Sequence, residues 1–395
     1  MKKSLLLTLP LMAAMLASCG GKGKGANPNI PDPAKAKEEV QVADATNTLT
    51  RAAGFSLSSP SLGLKLGVSS DANLKLRLPD STESGKQGKM VLGNSEIRAN
   101  EDLNLELNAT GLDQVGFQNI KLSGGLDFNA SAYANVSAET LQLLSMLVPQ
   151  IPATEAGLNL DLNLKGTSSV YSNGEKAFFE YDQDLVNSIK TIATMSGATD
   201  VQVMDAGKYC TPAYPEMPEL TNFKFADIVN QYVAPYLSNL PALVTQYAPL
   251  IAQACDEFKG LKYSDTEYAI YAKANVFKLA GLFLPDYKSM IDLVDDGKNT
   301  GSVVAAIVFD TQKGLKSVGI EASIDAVLTY GQLQMAQMVG VDENEKLLEA
   351  HISAAIALDV KSGSDVTVKE VSNPNDYKEV EIPQTQVGLP EGFDL

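Results

Sequence analysis

The sequence predicts an α+β fold in which long-stranded antiparallel sheets, half-barrel-like in shape, pack against helices. Apolar side chains alternate with polar or glycine positions over unusually long runs, which is typical of strands with one buried and one wet face. This alternation occurs in both halves of the chain, and segments of helical period interrupt it. With 395 residues, 45% of them apolar, the chain has the length for two domains or one large β-rich domain.

The first half, residues 32–208, is predicted to begin with a helix and continue as an antiparallel meander. Asp32 before Pro33 predicts the helix start, and Gly54 predicts its end. Gly124-Gly125 and Asn173-Gly174 predict hairpin turns, and helical insertions are expected at 138–148 and 185–196. The alternating apolar positions are Leu62, Leu64, Leu66, Val68, Leu74, Leu76, Leu78, Leu103, Leu105, Leu107, Leu126, Phe128, Ala130, Ala132, Ala134, Val136, Leu158, Leu160, Leu162 and Leu164.

A proline-rich connector is predicted at 209–222. Pro212, Pro215 and Pro218 are spaced by three residues, which suits an extended polyproline-like conformation. We place the boundary between the two halves here.

The second half, 223–371, is predicted to be led by helices and then to return to strands. Its apolar segment 225–255 contains Pro235, Pro241 and Pro249, and proline inside a helix removes a hydrogen bond, so two or three short helices are expected. Alternation resumes in four runs between 268 and 360. Residues 372–395 are predicted to form a polar, loosely packed tail.

Charge and motif content exclude several classes of function. Lys and Arg number 31 against 48 Asp and Glu, giving a net charge of −17, which argues against nucleic-acid binding and charge-driven membrane docking. A single histidine, His351, excludes multi-histidine metal sites. It lies at the start of a predicted strand, which makes it a poor match for the base of a serine or cysteine nucleophile. We therefore predict a protein that is not an enzyme, with no catalytic residues, no metal and no cofactor.

The amino terminus predicts export. Residues 1–18 have two lysines, a short apolar centre and small residues before Cys19, as a secretory signal peptide does. Leu16-Ala17-Ser18-Cys19 resembles a bacterial lipobox, which implies acyl chains on Cys19 that anchor the exported protein at the periplasmic face of a membrane or the cell surface. The alternative is a plain secreted protein with a coincidental cysteine. The Gly- and Pro-rich residues 19–31 are predicted to be a flexible tether.

The remaining cysteines, Cys210 and Cys255, are a candidate disulfide. Exported proteins meet oxidising conditions, which favours pairing. Two buried free thiols are the alternative.

Small residues on the apolar strand positions are the most unusual feature of the pattern. Alanines there leave space above a sheet, which either a closely packed helix or an acyl chain could fill. In the second case the segment 225–255 would cover the groove. The predicted lining residues are Ala130, Ala132, Ala134, Val233, Tyr236, Leu237, Leu240, Ala272 and Ala274.

A lipid-anchored protein with long antiparallel strands around helices resembles the LolA/LolB and LppX/LprG lipoprotein carriers. The resemblance implies a half-barrel that sequesters lipid acyl chains without catalysis. It covers one half of the chain at a time and transfers no motif residue, so two barrels, one elongated trough or an unrelated β-scaffold all remain open. The competing hypothesis is a structural scaffold with a fully packed core that meets another cell-envelope protein.

Overall fold

The computed structural model describes residues 26–80, 91–141, 157–197, 203–213, 222–283, 291–292 and 298–380. The predicted signal peptide and the predicted lipidation site Cys19 lie outside these residues, as do most of the predicted connector and the end of the tail.

The described strands form one sheet of thirteen strands in the order β1-β8-β9-β10-β11-β12-β2-β3-β4-β5-β6-β7-β13. Every neighbouring pair is antiparallel except β7 with β13, which is parallel. The α+β class with long antiparallel strands is confirmed. The strands are β1 (Glu38–Val40), β2 (Ser61–Asp80), β3 (Val91–Thr110), β4 (Lys121–Val136), β5 (Leu158–Ser172), β6 (Ala177–Tyr181), β7 (Gly207–Cys210), β8 (Glu257–Lys262), β9 (Glu267–Asn275), β10 (Thr300–Asp310), β11 (Gly314–Thr329), β12 (Lys346–Ser362) and β13 (Lys378–Glu379).

The two predicted halves of the chain meet within this sheet. Strands β1 to β7 come from the first half and β8 to β12 from the second. The halves pair at two places, β1 with β8 and β12 with β2, where Val360 lies opposite Leu64. A β-strand of each half therefore hydrogen-bonds to a strand of the other.

Strand register divides the central strands into two faces. Residues directly opposite in an antiparallel pair project to the same side, and successive residues alternate. Leu105 lies opposite Leu126 and Ile320 opposite Ile356, while Ser61↔Thr110 and Arg77↔Asn94 give β2 and β3 the same register at both ends. We call the side that carries Leu64, Leu105, Leu126 and Ile320 the apolar face, and the other side the opposite face.

Two helices pack on the apolar face towards its two lateral ends. Helix α1 (Val42–Leu57) buries Ala45, Leu49 and Ala52 against Ile270 of β9 and Phe309 of β10, and α2 (Gln183–Ser196) lies against β5. The helices are α1 (Val42–Leu57), α2 (Gln183–Ser196), α3 (Phe225–Ile228), α4 (Ala234–Ala254), α5 (Val276–Phe283) and α6 (Ala336–Val339), with a π-helical turn at Val229–Val233 between α3 and α4.

The first helix begins later than the sequence predicts. Asp32 caps only the 3-10 turn Pro33–Lys35, after which the chain forms β1, and α1 starts at Val42 and continues past Gly54. The pairing of β1 with β8 explains the difference, because an edge strand outcompetes the first turns of a helix for these residues.

The prediction of short helices across 225–255 is wrong for its second part. Helix α4 is continuous over 21 residues and contains Pro241 and Pro249. Each proline removes one backbone hydrogen bond, but packing of Leu240 into the core under α1 supports the helix. The irregular part of the segment is the π-helical turn.

Parts of the predicted tether and tail are packed in the fold. Ala26 is buried with Ala355 and Ala357 on the opposite face, and Gly319 leaves room for Pro28, because a Cβ on Gly319 would lie 2.9 Å from the Pro28 Cβ. At the other end Tyr377 stacks edge-on against Phe178 at 5.0 Å, and β13 extends the sheet beside β7. Ala26 and Pro28 of the predicted tether are therefore packed on the sheet, and residues 378–379 of the predicted tail belong to it.

Candidate functional site

The predicted alanines share the apolar face but do not form one site. Ala130, Ala132 and Ala134 of β4 lie opposite leucines of β5, whereas Ala272 and Ala274 of β9 lie opposite β10. Five strands separate β9 from β4. At about 4.8 Å per strand, the two groups are roughly 29 Å apart along the sheet.

The predicted cover, 225–255, is divided between two places: Phe225 packs on Leu62, Ala109 and Val360 of the central strands, whereas α4 lies at the β8–β9 end of the sheet. Leu240 packs on the α1 core, Val233 is half-buried in the π-helical turn, and Tyr236 is 75% exposed on α4. Leu237 belongs to α4, but its side chain is outside the described part of the structure. The neighbours of α4 are α1, α5 and β8, so this helix borders the β9 alanines and not those of β4.

Ala134 has a packing role. It is buried with Val136 and Leu141, the last described residue of a helical turn that begins at residue 138 after β4. The closely packed helix therefore explains this alanine, while Ala130 and Ala132 are only half-buried.

Large apolar side chains remain exposed on the apolar face of the central strands. Leu105 is 45% exposed and Leu107 36% on β3, and Ile320 is 39% and Ile356 36% exposed on β11 and β12. The sequence marks these positions as apolar, but alternation does not say whether anything covers them.

Helix α2 lies on the apolar face and adds a second exposed apolar stripe. A Cβ on Gly166 of β5 would lie 2.5 Å from the Leu185 Cα, so the helix touches the sheet backbone directly. Its outer stripe of Ile189, Ile192 and Met195 is exposed. On α4, Tyr236, Leu243 and Tyr247 form a similar stripe.

The position of α2 is fixed by polar contacts at its first turns. The Asp182 carboxylate caps the helix by accepting from Leu185 N at 2.7 Å, and it also accepts from Thr167 N and Oγ1. Desolvation raises the pKa of Asp182, but these hydrogen bonds outweigh it and hold the pKa below its usual value. The Ser188 hydroxyl donates to Lys165 O at 2.7 Å.

Glu101 is the charged residue of the central apolar face that sequence reasoning missed. It lies opposite Ala130 of β4, and the register of β2 places the buried Ser70 on its other side. The signal in the sequence is its place two residues before Leu103, in the same alternating series. The apolar-face positions of β2 from 62 to 78, and those of β4 and β5, carry no other charged residue.

The opposite face carries a polar pocket of about 400 Å³ across β2 to β5. Arg98 bonds Glu96 at 2.6 Å and lies over the Tyr133 ring at 5.6 Å. The hydrogen bond from Arg98 lowers the pKa of Glu96. The other polar side chains of the pocket are Asp71, Asn73, Asn100, Ser131 and Asp161.

The candidate disulfide is absent. Cys210 is a buried free thiol in β7, and Cys255 is a half-buried free thiol just before β8. Nine strands lie between β8 and β7 in the sheet order. The two cysteines are close in sequence, with only the connector and the helical segment between them. They are far apart in the fold, because β7 and β8 are distant in the sheet order.

The described residues contain no cluster of three or more metal-ligating side chains. His351 pairs with Asp325 across β12 and β11, and both side chains are more than half exposed. None of the helices in the described part combines the length and apolarity that crossing a membrane requires.

Comparisons with known proteins give little similarity. No family model matches the chain. A probable transcriptional regulatory protein of Thioalkalivibrio sulfidiphilus is 27% identical over 139 residues, which are 35% of this chain and 49% of that protein, so the chain spans about half the length of the curated relative it matches. The crystal structure of a Pseudomonas aeruginosa FadL homologue aligns with a TM-score of 0.15 and 9% identity over 87% of this chain and 96% of that one, a likeness too low to bear on the fold.

Proposed function

We propose that this protein is an exported lipoprotein, anchored through Cys19, that binds the acyl chains of an amphipathic lipid on the apolar face without catalysing a reaction. In this proposal the sheet is half-barrel-like and curls around the bound chains. The exposed apolar side chains of β3, β11, β12 and α2 carry the proposal.

Contiguous apolar side chains left exposed on one face are typical of a surface that binds an apolar ligand or partner. Monomeric soluble proteins rarely expose contiguous apolar patches above a few hundred Å². Leu105, Leu107, Ile320 and Ile356 are each more than one third exposed and lie on one face. Acyl chains laid along these strands would remove the side chains from water, at roughly 25 cal/mol per Å² of apolar area.

The test is uptake of a fluorescent long-chain lipid by the purified, delipidated protein, together with native mass spectrometry of the protein after gentle extraction. Leu105→Asp places a charge on the apolar face and should weaken uptake at least fivefold. Val115→Asp is the matched control, because Val115 is 47% exposed in a loop outside the strands and Leu105 is 45% exposed. Absence of both uptake and co-purifying lipid would refute the proposal and leave the envelope scaffold as the better account.

A further inference from the structure

Resting on the proposed function, we infer that the lipid bound on the apolar face carries an ammonium head group, which pairs with Glu101. The observation behind this is a carboxylate among small and apolar residues on the face where the acyl chains would lie. Glu101 faces Ala130 across β4 and Ser70 across β2.

In the described part of the fold, Glu101 lies among small side chains and offers an unpaired carboxylate to a ligand. Within the described residues Glu101 makes no hydrogen bond or ion pair. A carboxylate without a partner beside apolar side chains can form a charge-assisted hydrogen bond with an ammonium group, which favours a cationic ligand. Ala99 and Ala132, on the same face nearby, fill little of the space around it.

The apolar side chains give the ligand a direction. Leu103, Leu105 and Leu107 follow Glu101 along the same face of β3, and Phe128 and Leu126 lie opposite the first two. From Glu101 to Leu107 is about 20 Å at 3.3 Å per residue, enough for a long acyl chain. The head group would therefore lie at Glu101 and the chain would run towards the end of β3.

Anionic head groups are disfavoured at the same place. Arg98 of β3 and Lys75 of β2 both pair with Glu96 on the opposite face, and the register of β2 places Lys65 on that face too. The carboxylate of a fatty acid would therefore be repelled by the Glu101 carboxylate, because the apolar face of β2 to β5 has no basic residue to neutralise either group. Because this contact is partly shielded from water, its effect should persist at physiological salt, where surface attraction is screened beyond about 8 Å.

The experiment compares head groups on chains of one length. The full, delipidated chain is loaded with a neutral fluorescent reporter at pH 7 and 0.15 M salt, and a long-chain alkylamine, the matching fatty acid and the matching monoacylglycerol displace it. We expect the amine to displace the reporter at least tenfold more tightly than the acid. In Glu101→Gln this ratio should fall below about twofold while the neutral lipid is unaffected.

Asp127→Asn is the matched control. It removes one carboxylate from an exposed position of β4 on the opposite face, so it tests whether the net charge alone attracts amines. The amine preference should survive in this variant. An ethanolamine phospholipid added as a fourth ligand separates the two sources of an ammonium group, a membrane phospholipid or a simple amine, by its displacement relative to the alkylamine.

The outcomes separate the two proposals. If no lipid displaces the reporter, the lipid-binding function itself is wrong. If all lipids bind alike, or Glu101→Gln keeps the amine preference, lipid binding stands and the ammonium inference is overturned. Loss of the preference in both variants would also overturn it, because net charge would then be the cause.

Discussion

Single carboxylates hold the elements that border the apolar face. Asp182 joins the first turn of α2 to Thr167 of β5, and Asp310 closes the β10–β11 turn by accepting from Gln312 N, Lys313 N and Thr266 Oγ1. For both groups burial raises the pKa, but the hydrogen bonds received outweigh it and lower the pKa overall. Their ionised forms therefore stabilise the folded state.

We expect Asp182→Ala to lower the free energy of unfolding by about 1–2 kcal/mol at pH 7, as loss of a helix cap does. Since folding depresses the pKa of Asp182, its contribution is complete above the unfolded value of about 4 and is lost as the pH falls through the folded value. Urea unfolding at pH 7 and at pH 3 measures this difference. Asp127→Ala, at an exposed position, should change stability by less than about 0.5 kcal/mol. A deficit in Asp182→Ala that is equal at both pH values would contradict the role of the ionised cap.

At the scale of elements, alternation located the strands but not their ends or turns. Asn173-Gly174 is a turn as predicted, with Gly174 at φ 87°, but Gly124-Gly125 lies inside β4. A Gly-Gly pair permits a turn without requiring one, and pairing on both sides with β3 and β5 keeps it extended. For the same reason two prolines did not break α4: tertiary packing outweighs local preference where a helix has a core to lie on.

The close contact between α2 and β5 depends on the absence of a side chain at Gly166. We expect Gly166→Ala to lower the melting temperature by several degrees, because its Cβ would lie 2.5 Å from the Leu185 Cα and the backbone must move. Gly125→Ala is the control, since its Cβ would lie 3.6 Å from Ser168 O, an ordinary contact. Calorimetry of both variants checks this. A Gly166→Ala protein as stable as the control would show that α2 does not rest on β5 as described.

For the whole molecule, the sequence could not supply the order of the strands. Alternation assigns a residue to a face of its own strand, so it grouped the alanines of β4 and β9 correctly by face. Alternation carries no information on which strands are neighbours. Because five strands lie between β9 and β4, the alanines of these two strands do not form the single site that the sequence predicts. Exposure of Leu105 and Ile320, and the placement of Glu101 among small residues, likewise depend on long-range pairing.

The sheet order also predicts the chemistry of the two thiols. We expect Cys210 and Cys255 both to react with an alkylating reagent in the denatured chain without any reductant, as peptide mass mapping would show. In the native protein Cys255 should react faster, because Cys210 is only 5% exposed. Burial raises the pKa of the Cys255 thiol, so its labelling rate should climb with pH. If the two cysteines reacted only after a reductant was added, the result would contradict the free thiols and support a disulfide between them.

The pairing of β2 with β12 has a consequence for biogenesis. Val360 and Leu64 are neighbours in the sheet although nearly three hundred residues of chain separate them. A ribosome must therefore finish most of the polypeptide before β2 can acquire this partner, and contacts of such high sequence separation form slowly. Until then the emerging chain presents a bare strand edge to its surroundings, which is a template for unwanted association. Shielding of the β2 edge until β12 has been made would therefore lower the risk of such association.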